Sequence, residues 1–349
     1  MRALLVLSDN MYLTPYMELY TEILQENKVE YHILFWDKNN NERIENDTVT
    51  RFAIDSKGKI GKALGYGLFR KAILREIELY GIDFLIPLHP IVSFLIQDIL
   101  CRKYDQRFIF DVRDYSYEKF KLIRKMEEML VSHSRLNVIS SPGYKSFLPK
   151  GTYYTVHNIP TNIPNEMSSV QKHKDRIIIS YIGLIRFIEQ NKRIIDFFAN
   201  DARFELRFYG TRSEELKEYC DQMGIENVRF KGTFDSSETP EYFRQTDFVM
   251  NLYGNHTPLL DYALSNKLYN AAIMKRPILV CRDTYMEKVS TKWGFGYVLD
   301  LVDPKEKDEL VLYYYNLNID ELTRNCSAFL NEVQNEQAAT IAELKKVLS

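Results

Sequence analysis

Two successive series of short apolar runs, separated by one polar stretch, constrain this fold more than any other feature of the sequence. In residues 1–160 the runs alternate with stretches of helical periodicity, and from residue 176 the same alternation begins again. Runs rich in Ile, Leu, Val and Phe predict buried strands, and helices between them make the strands parallel. The stretch 158–175 has two X-Pro steps and almost no apolar periodicity, which is typical of a linker. We therefore predict an α/β protein of two Rossmann-like domains with a cleft between them.

The predicted boundaries follow from this rhythm. We expect an N-terminal domain at 1–160, a linker at 161–175, a second domain at 176–318 and C-terminal helices at 319–349. These last helices could pack back onto the N-terminal domain. The predicted strands are 3–8, 31–36, 83–88, 107–112 and 136–140 in the first domain, and 176–183, 203–210, 228–234, 247–254 and 276–281 in the second.

Charge and cysteine usage exclude several classes of protein. The 46 Lys and Arg residues against 48 Asp and Glu give a net charge of −2, whereas a dedicated nucleic-acid binder needs a basic surplus. The four cysteines form no CxxC pair, so neither a zinc cluster nor a disulfide framework is expected. The longest apolar stretch, 85–100, is interrupted by His89, two prolines, Gln97 and Asp98, which argues against a membrane span. We expect a cytoplasmic protein.

Glycines and one lysine mark a candidate binding site in the second half. Gly183 and Gly210 follow predicted strands, at the end of a parallel sheet where ligands bind and where glycine lets the backbone approach a phosphate. Lys267 and Asn270 lie three residues apart near the start of a predicted helix, a pattern that suits a diphosphate and a ribose. The alternatives are that the glycines only form turns and that Lys267 is a solvated surface lysine.

The second half resembles the donor domain of glycosyltransferases with the GT-B fold, specifically family four and its bacterial capsule and O-antigen relatives. The segments that carry the resemblance are YIGLIR (181–186), RFYG (207–210), VRFKG (228–232), TDFVMNLYG (246–254) and NKLYNAAIMKRPILV (266–280). It covers 176–302 well and the first half weakly.

This resemblance implies roles for residues of a nucleotide-sugar site. The diphosphate would lie at Gly183, Arg186 and Lys192, and the nucleotide near Lys267 and Tyr269. Separately, Tyr253 is an aromatic residue expected near this site, where its ring could stack on a sugar or a base. Asn270 stands where the family usually has a glutamate that binds the ribose diol. The second glutamate of that motif is also missing, since Tyr262 lies eight residues before Asn270 and Asp261 one further. Asparagine can still accept one hydrogen bond and donate another, but it loses the bidentate carboxylate.

Polar residues also follow strands of the first half. Asp111, Arg113 and Asp114 end a predicted buried strand and suit acceptor binding (Asp111, Arg113) or proton acceptance (Asp114). The alternative is an Asp–Arg pair that fixes a turn. Asp9 and His89 are at two further strand ends, so Asp114, His89 and Asp9 are the candidate bases of an inverting enzyme. A retaining enzyme would rely on the donor's own phosphate, and the sequence leaves both mechanisms open.

A basic segment of the first half suggests a membrane surface. Residues 51–75 contain seven Lys and Arg residues and one Asp, a local net charge of +6. The apolar stripe expected beside them consists of Leu64, Leu68, Phe69, Ala72, Ile73 and Ile77. A basic amphipathic helix suits an anionic leaflet, whereas the alternative is an ordinary helix that packs its apolar side on the core.

The resulting hypothesis is a cytoplasmic, peripherally membrane-bound glycosyltransferase. It would move a sugar from a nucleotide diphosphate donor, with UDP favoured, to a lipid-linked oligosaccharide or to a surface polysaccharide such as capsule, lipopolysaccharide or exopolysaccharide. Arg186 and Lys267 could neutralise the leaving diphosphate, and no D-x-D motif has useful spacing, so neither an obligate metal nor another cofactor is expected. The alternatives are a nucleotide-sugar epimerase of the same fold and a non-catalytic, degenerate transferase that acts as a partner subunit.

Overall fold

The chain folds into two compact units, each built on a parallel sheet. The computed structural model describes residues 1–44, 46–54, 58–115, 119–160 and 175–349. Unit 1 comprises residues 1–157 and 336–349, and unit 2 comprises residues 158–335. The predicted linker, 161–175, lies outside the described residues except for its last position, and so do positions 55–57 of the basic segment.

Unit 1 contains a seven-stranded sheet in the order β3-β2-β1-β4-β5-β6-β7, in which every described pairing is parallel. All five strands predicted for the first half are present. Strands β3 and β7 were not predicted, because they are short and β3 is only partly buried. The elements are β1 (Arg2–Leu7), α1 (Met17–Glu26), β2 (Glu30–Trp36), β3 (Val49–Phe52), α2 (Gly58–Leu79), β4 (Phe84–Leu88), α3 (Pro90–Leu95), α4 (Gln97–Lys103), β5 (Ile109–Val112), α5 (Lys121–His133), β6 (Leu136–Ile139) and β7 (Tyr154–Thr155).

Unit 2 contains a six-stranded parallel sheet in the order β10-β9-β8-β11-β12-β13. Its central strand β8 is buried along its whole length, as a strand covered on both faces must be. The elements are β8 (Ile177–Ile182), α6 (Ile188–Phe198), β9 (Phe204–Tyr209), α7 (Glu214–Met223), β10 (Val228–Lys231), α8 (Thr239–Arg244), β11 (Phe248–Asn251), α9 (Pro258–Asp261), α10 (Asn266–Ile273), β12 (Ile278–Val280), α11 (Tyr285–Lys292), β13 (Gly296–Val298) and α12 (Lys305–Asn316). The last helix, α13 (Ile319–Val347), belongs to unit 2 up to residue 335 and to unit 1 from residue 336.

The last turns of α13 complete the core of unit 1. Leu344 and Leu348 are fully buried in the same apolar cluster as side chains of β1 and α1. The Thr340 hydroxyl donates a hydrogen bond of 2.8 Å to the carbonyl of Thr155, and Asn27 Nδ2 donates one of 3.1 Å to the carbonyl of Leu348. Apolar burial and side-chain hydrogen bonds together hold this terminal segment.

Helix α2 presents a different face to solvent from the predicted stripe. Phe69, Ile73 and Ile77 are buried in the core, so the expectation that they face a membrane is wrong. Leu64 and Leu68 are 65% and 46% exposed and form the outward apolar face. Within the described part of the chain, we find no helix with the length and apolar character needed to cross a bilayer.

Candidate functional site

A two-glycine turn closes the carboxyl end of the unit 2 sheet. Gly183 follows β8 with φ +115° and Gly210 follows β9 with φ +147°, a backbone region that favours glycine. A Cβ atom on Gly210 would lie 1.9 Å from the carbonyl oxygen of Gly183, so the two backbones touch. The geometry therefore requires glycine at Gly210, and it leaves bare backbone at the sheet edge where ligands of such folds bind.

Lys267 reaches this turn from the first residues of α10. A Cβ atom on Gly183 would lie 3.9 Å from Lys267 Nζ, which donates a 2.7 Å hydrogen bond to the Tyr253 hydroxyl. The Nζ atom lies 4.3 Å from the centre of the Tyr181 ring. With only 7% of its surface exposed, Lys267 is not the solvated lysine of the alternative interpretation.

The charge of Lys267 has no acidic partner among the described residues. Burial lowers the pKa of Lys267, and the nearby charge of Arg186 acts in the same direction. A buried ammonium without a carboxylate is unfavourable in the empty protein. The arrangement therefore suits an anion, which would offset the cost of burying the Lys267 charge.

The loop that contains Arg186 is held from both ends. The Tyr181 hydroxyl accepts from the backbone N–H of Arg186 at 3.1 Å and donates to the carbonyl of Leu184 at 2.9 Å. Asn191 Nδ2 donates to the carbonyls of Arg186 and Phe187, at 2.6 and 3.1 Å. Neither Tyr181 nor Asn191 was predicted as a site residue, because their contribution lies in backbone contacts that no sequence spacing encodes.

Two buried acceptor atoms lie on neighbouring elements of the same unit. Asp261 Oδ1 on α9 and Asn270 Oδ1 on α10 are buried, and neither has a hydrogen-bond partner in the described part of the chain. Such atoms are few in folded proteins and call for a ligand or a bound water. Asn270, which stands at the position of the family's ribose-binding glutamate, thus has an unused acceptor.

Two predicted donor-site residues lie outside this group. Tyr269 is fully buried in the apolar core, with its ring stacked 6.1 Å from that of Phe329. Because Tyr269 offers no exposed face, it can support α10 but cannot stack on a nucleotide here. Lys192 Nζ pairs with Glu189 at 3.0 Å and Glu215 at 3.4 Å, so its charge is compensated within the protein.

In unit 1, Asp111 and Arg113 form a buried ion pair. Arg113 donates from Nε and Nη2 to the two carboxylate oxygens of Asp111, at 2.6 and 2.8 Å, and the Tyr20 hydroxyl adds a bond of 2.5 Å. Asp111 is fully buried, so it positions Arg113 and has no carboxylate oxygen exposed to an acceptor substrate. The Asp–Arg pair stated above as the alternative is therefore present. Arg113 also packs over the Tyr16 ring at 4.2 Å, and its buried Nη1 has no partner within the described residues.

Two of the candidate bases, Asp114 and Asp9, act electrostatically on Tyr16, whose ring packs against Arg113. Burial raises the pKa of Tyr16, the charge of Arg113 lowers it, and the negative charges of Asp111, Asp114 and Asp9 raise it. Asp9 pairs with Lys38 at 3.1 Å, whereas Asp114 is exposed.

His89 is a neutral histidine with a defined tautomer. Its Nδ1 accepts from the backbone N–H of Ile91 at 3.3 Å, which leaves the proton on Nε2. Burial lowers the pKa of His89 to about 4, with the charge of Lys38 acting in the same direction. In this state His89 Nε2 can donate a hydrogen bond but cannot accept a proton.

The chain is similar to known proteins in its fold rather than in its sequence. No family model matches the chain, and no curated protein matches it. Sucrose-phosphate synthase from Thermosynechococcus elongatus is similar with a TM-score of 0.69 and 10% identity, over 99% of this chain and 98% of that one.

Two further solved structures are similar over nearly the whole chain. Anabaena HepE in complex with UDP has a TM-score of 0.64 and 10% identity, and covers 97% of this chain and 98% of its own. The apo form of the lipopolysaccharide outer core galactosyltransferase WaaB has a TM-score of 0.64 and 11% identity, over 94% and 95%. The predicted fold class, two parallel-sheet α/β domains, is thereby confirmed: the chain has the GT-B fold of these glycosyltransferases.

Proposed function

We propose that the protein is a glycosyltransferase that uses a nucleotide diphosphate sugar, with a UDP-sugar favoured. The observation that carries this proposal is Lys267, a buried cation without a carboxylate partner among the described residues, at the turn formed by Gly183 and Gly210. A second cation, Arg186, is close enough to lower the pKa of Lys267. HepE, which has the same fold, was solved with UDP, and this supports UDP as the first ligand to test.

The donor would be held by charge and by the unused acceptors. Arg186 and Lys267 would neutralise the two phosphates and the charge that develops as the sugar bond breaks, without requiring a metal ion. Asn270 Oδ1 and Asp261 Oδ1 would accept hydrogen bonds from ribose or sugar hydroxyls. Such preorganised electrostatic stabilisation needs no proton transfer by these four residues.

The acceptor would bind at the carboxyl end of the unit 1 sheet. There, Arg113 is fixed by Asp111, whose carboxylate also accepts from Tyr20, and His89 Nε2 is available as a donor. If the enzyme inverts, Asp114 or Asp9 would take the proton of the acceptor hydroxyl. We propose a lipid-linked oligosaccharide or surface polysaccharide as acceptor, and attachment of the protein to the inner leaflet through 51–75. Leu64 and Leu68 would be the apolar contacts of that segment.

One experiment separates the proposed transferase from its alternatives. The protein is incubated with a panel of nucleotide sugars, and the products are resolved by chromatography. Release of the nucleoside diphosphate supports a transferase, and an isomerised sugar nucleotide without release identifies the epimerase. Retained nucleotide binding without turnover identifies a non-catalytic protein. The last two outcomes contradict the proposal.

A binding measurement tests the placement of the donor. Lys267→Ala removes a charged contact worth about 1.5–3 kcal/mol, so the Kd for UDP should rise about tenfold to a hundredfold. Lys288→Ala, at an exposed position of α11, is the matched control and should leave the Kd unchanged. An unaltered affinity in a folded Lys267→Ala variant would show that the nucleotide binds elsewhere.

A further inference from the structure

Helices α2, α4 and α5 form one connected layer of unit 1. Arg70 on α2 forms two hydrogen bonds of 2.8 Å to the carboxylate of Asp98 on α4. Helix α4 contacts α5, and Gln97 Nε2 lies 3.4 Å from Met129 Sδ. The outward faces of α2 and α5 therefore belong to one surface rather than to two separate ones.

This surface has many basic side chains without an acidic partner among the described residues. Exposed Lys and Arg residues occur on all three helices, and none of them forms an ion pair with a residue that the structure describes. Exposed acidic residues on these helices are fewer, and Asp98 is already paired with Arg70. The exposed basic residues are Lys62, Lys71 and Arg75 on α2, Arg102 and Lys103 on α4, and Lys121, Arg124 and Lys125 on α5.

Large apolar side chains lie among these charges. Leu122, in the first turn of α5, is 70% exposed, and Met129, seven residues later on the same helix face, is 40% exposed. On α2, Leu64 and Leu68 are 65% and 46% exposed, one helical turn apart. Exposed leucines beside basic residues without acidic partners suit the interface of an anionic bilayer. Its phosphates attract the basic residues, and its acyl chains accommodate the leucines.

We propose that α5 is a second membrane-contact element, which together with α2 docks unit 1 onto an anionic phospholipid surface. The proposal deepens the attachment through 51–75 given above and rests on it for the identity of the partner. Lys121, Arg124 and Lys125 contact lipid phosphates, and Leu122 enters the acyl boundary. The sequence of α5 does not reveal this basic surface, because Glu127 and Glu128 reduce the net charge of the helix. In the structure Glu127 is buried, so the exposed surface of α5 is more basic than its sequence.

Vesicle sedimentation tests this inference with the full chain. The probes are phosphatidylcholine vesicles with and without phosphatidylglycerol, at low and high salt. Retention of the wild type should require phosphatidylglycerol and decrease with salt. Leu122→Glu should weaken retention about tenfold, because burial of one leucine is worth about 1.5–3 kcal/mol. Joint replacement of Lys121, Arg124 and Lys125 by Ala should weaken it about a hundredfold, at about 1 kcal/mol for each basic residue.

Two comparison variants make the result specific. Leu312→Glu, on α12 of unit 2 and 63% exposed, adds the same charge at a similar exposure and should leave retention unchanged. Joint replacement of Leu64 and Leu68 by Glu tests the attachment through α2 alone. The Kd for UDP, measured for every variant, should equal that of the wild type and reports whether the chain is folded.

Each outcome bears on one of the two proposals. If the α2 variant loses retention while both α5 variants keep it, the role of α5 is overturned and the attachment through 51–75 stands. If the wild type is not retained, or is retained equally without phosphatidylglycerol, both are overturned. Loss of retention in the α5 variants with an unchanged Kd for UDP supports the inference.

Discussion

At the scale of single residues, the unit 2 site depends on backbone that has no side chain. Gly210 has φ +147°, and any Cβ atom there would meet the Gly183 carbonyl oxygen at 1.9 Å. The neighbouring atoms are backbone, so they cannot move aside as a flexible side chain would. A Cβ atom on Gly183 would lie 3.9 Å from Lys267 Nζ, so the same turn lies beside this charge. Shape and charge at this edge are thus set by different residues.

Gly210→Ala should destabilise unit 2 by about 1–3 kcal/mol, the usual cost of a strained backbone. The matched control is Gly67→Ala in α2, where a new Cβ meets nothing within 4 Å and φ is not in the left-handed region. There alanine should stabilise the helix by about 0.5–1 kcal/mol. Urea unfolding of both variants measures the two opposite shifts. An equal change in the free energy of unfolding of both variants would show that the turn accommodates alanine without strain.

His89 makes a pH-dependent contribution to stability. Its pKa is about 4 in the folded protein and near the ordinary 6.5 when unfolded, so the unfolded chain binds more protons between these values. Stability from this group is therefore complete above pH 6.5 and is lost as the pH falls towards 4, by about 3 kcal/mol in total.

His89→Asn should remove that part of the pH dependence, since the asparagine side chain does not titrate. The measurement is the urea midpoint of both proteins from pH 7 to pH 4, because their difference cancels the carboxylates common to both. Parallel profiles would contradict the assignment of His89 as a buried neutral group.

Sequence patterns predicted the strands of this fold better than the directions in which helix side chains point. The strands were predicted because a buried parallel strand is continuously apolar, as in Ile177–Ile182. In helix α10 the resemblance to the glycosyltransferase family placed both Lys267 and Tyr269 near the nucleotide. They are two residues apart and so face different directions, and only Lys267 reaches the glycine turn. The direction of a helix face depends on tertiary packing, which one sequence does not specify.

At the scale of elements, the junction between β8 and α6 determines where Arg186 lies. Helix α6 begins after Phe187, which has a left-handed backbone and provides no side-chain cap. Asn191 instead holds the preceding loop from within the helix, since its Nδ2 donates to the carbonyls of Arg186 and Phe187. Tyr181 fixes the other side of the loop. The arginine is thus held by its backbone, while its side chain stays exposed.

Asn191→Ala should loosen this loop. Loss of two hydrogen bonds costs about 1–3 kcal/mol, and because Arg186 is no longer fixed, the Kd for UDP should rise several-fold. Gln190→Ala, one residue earlier in α6, removes a side chain that contacts Arg193 and not the loop, so it should leave the Kd unchanged. Isothermal titration of both variants gives the comparison. If both substitutions change the Kd equally, the loop does not determine the affinity for UDP.

At the scale of the whole molecule, unit 1 is assembled from both ends of the chain. Residues 1–157 form its sheet, and residues 336–349 complete its core. His157 Nε2 lies 2.9 Å from Glu336 Oε2, and the backbone N–H of His157 donates to Gln337 Oε1 at 2.8 Å. These contacts join residues about 180 positions apart in the sequence. Such long-range closure costs chain entropy, which the buried leucines of the terminal segment must repay.

Leu344→Ala should accordingly destabilise unit 1 by about 2–5 kcal/mol, the range for a leucine removed from a packed core. Leu312→Ala, at a 63% exposed position of α12, should change stability by less than about 0.5 kcal/mol. Hydrogen exchange followed by mass spectrometry locates the effect: amides of β1 and α1 should lose protection in Leu344→Ala, while those of β8 and α10 keep theirs. Uniform loss of protection across both sheets would mean that the two units unfold as one, and that the terminal segment stabilises the whole chain rather than the unit whose core it completes.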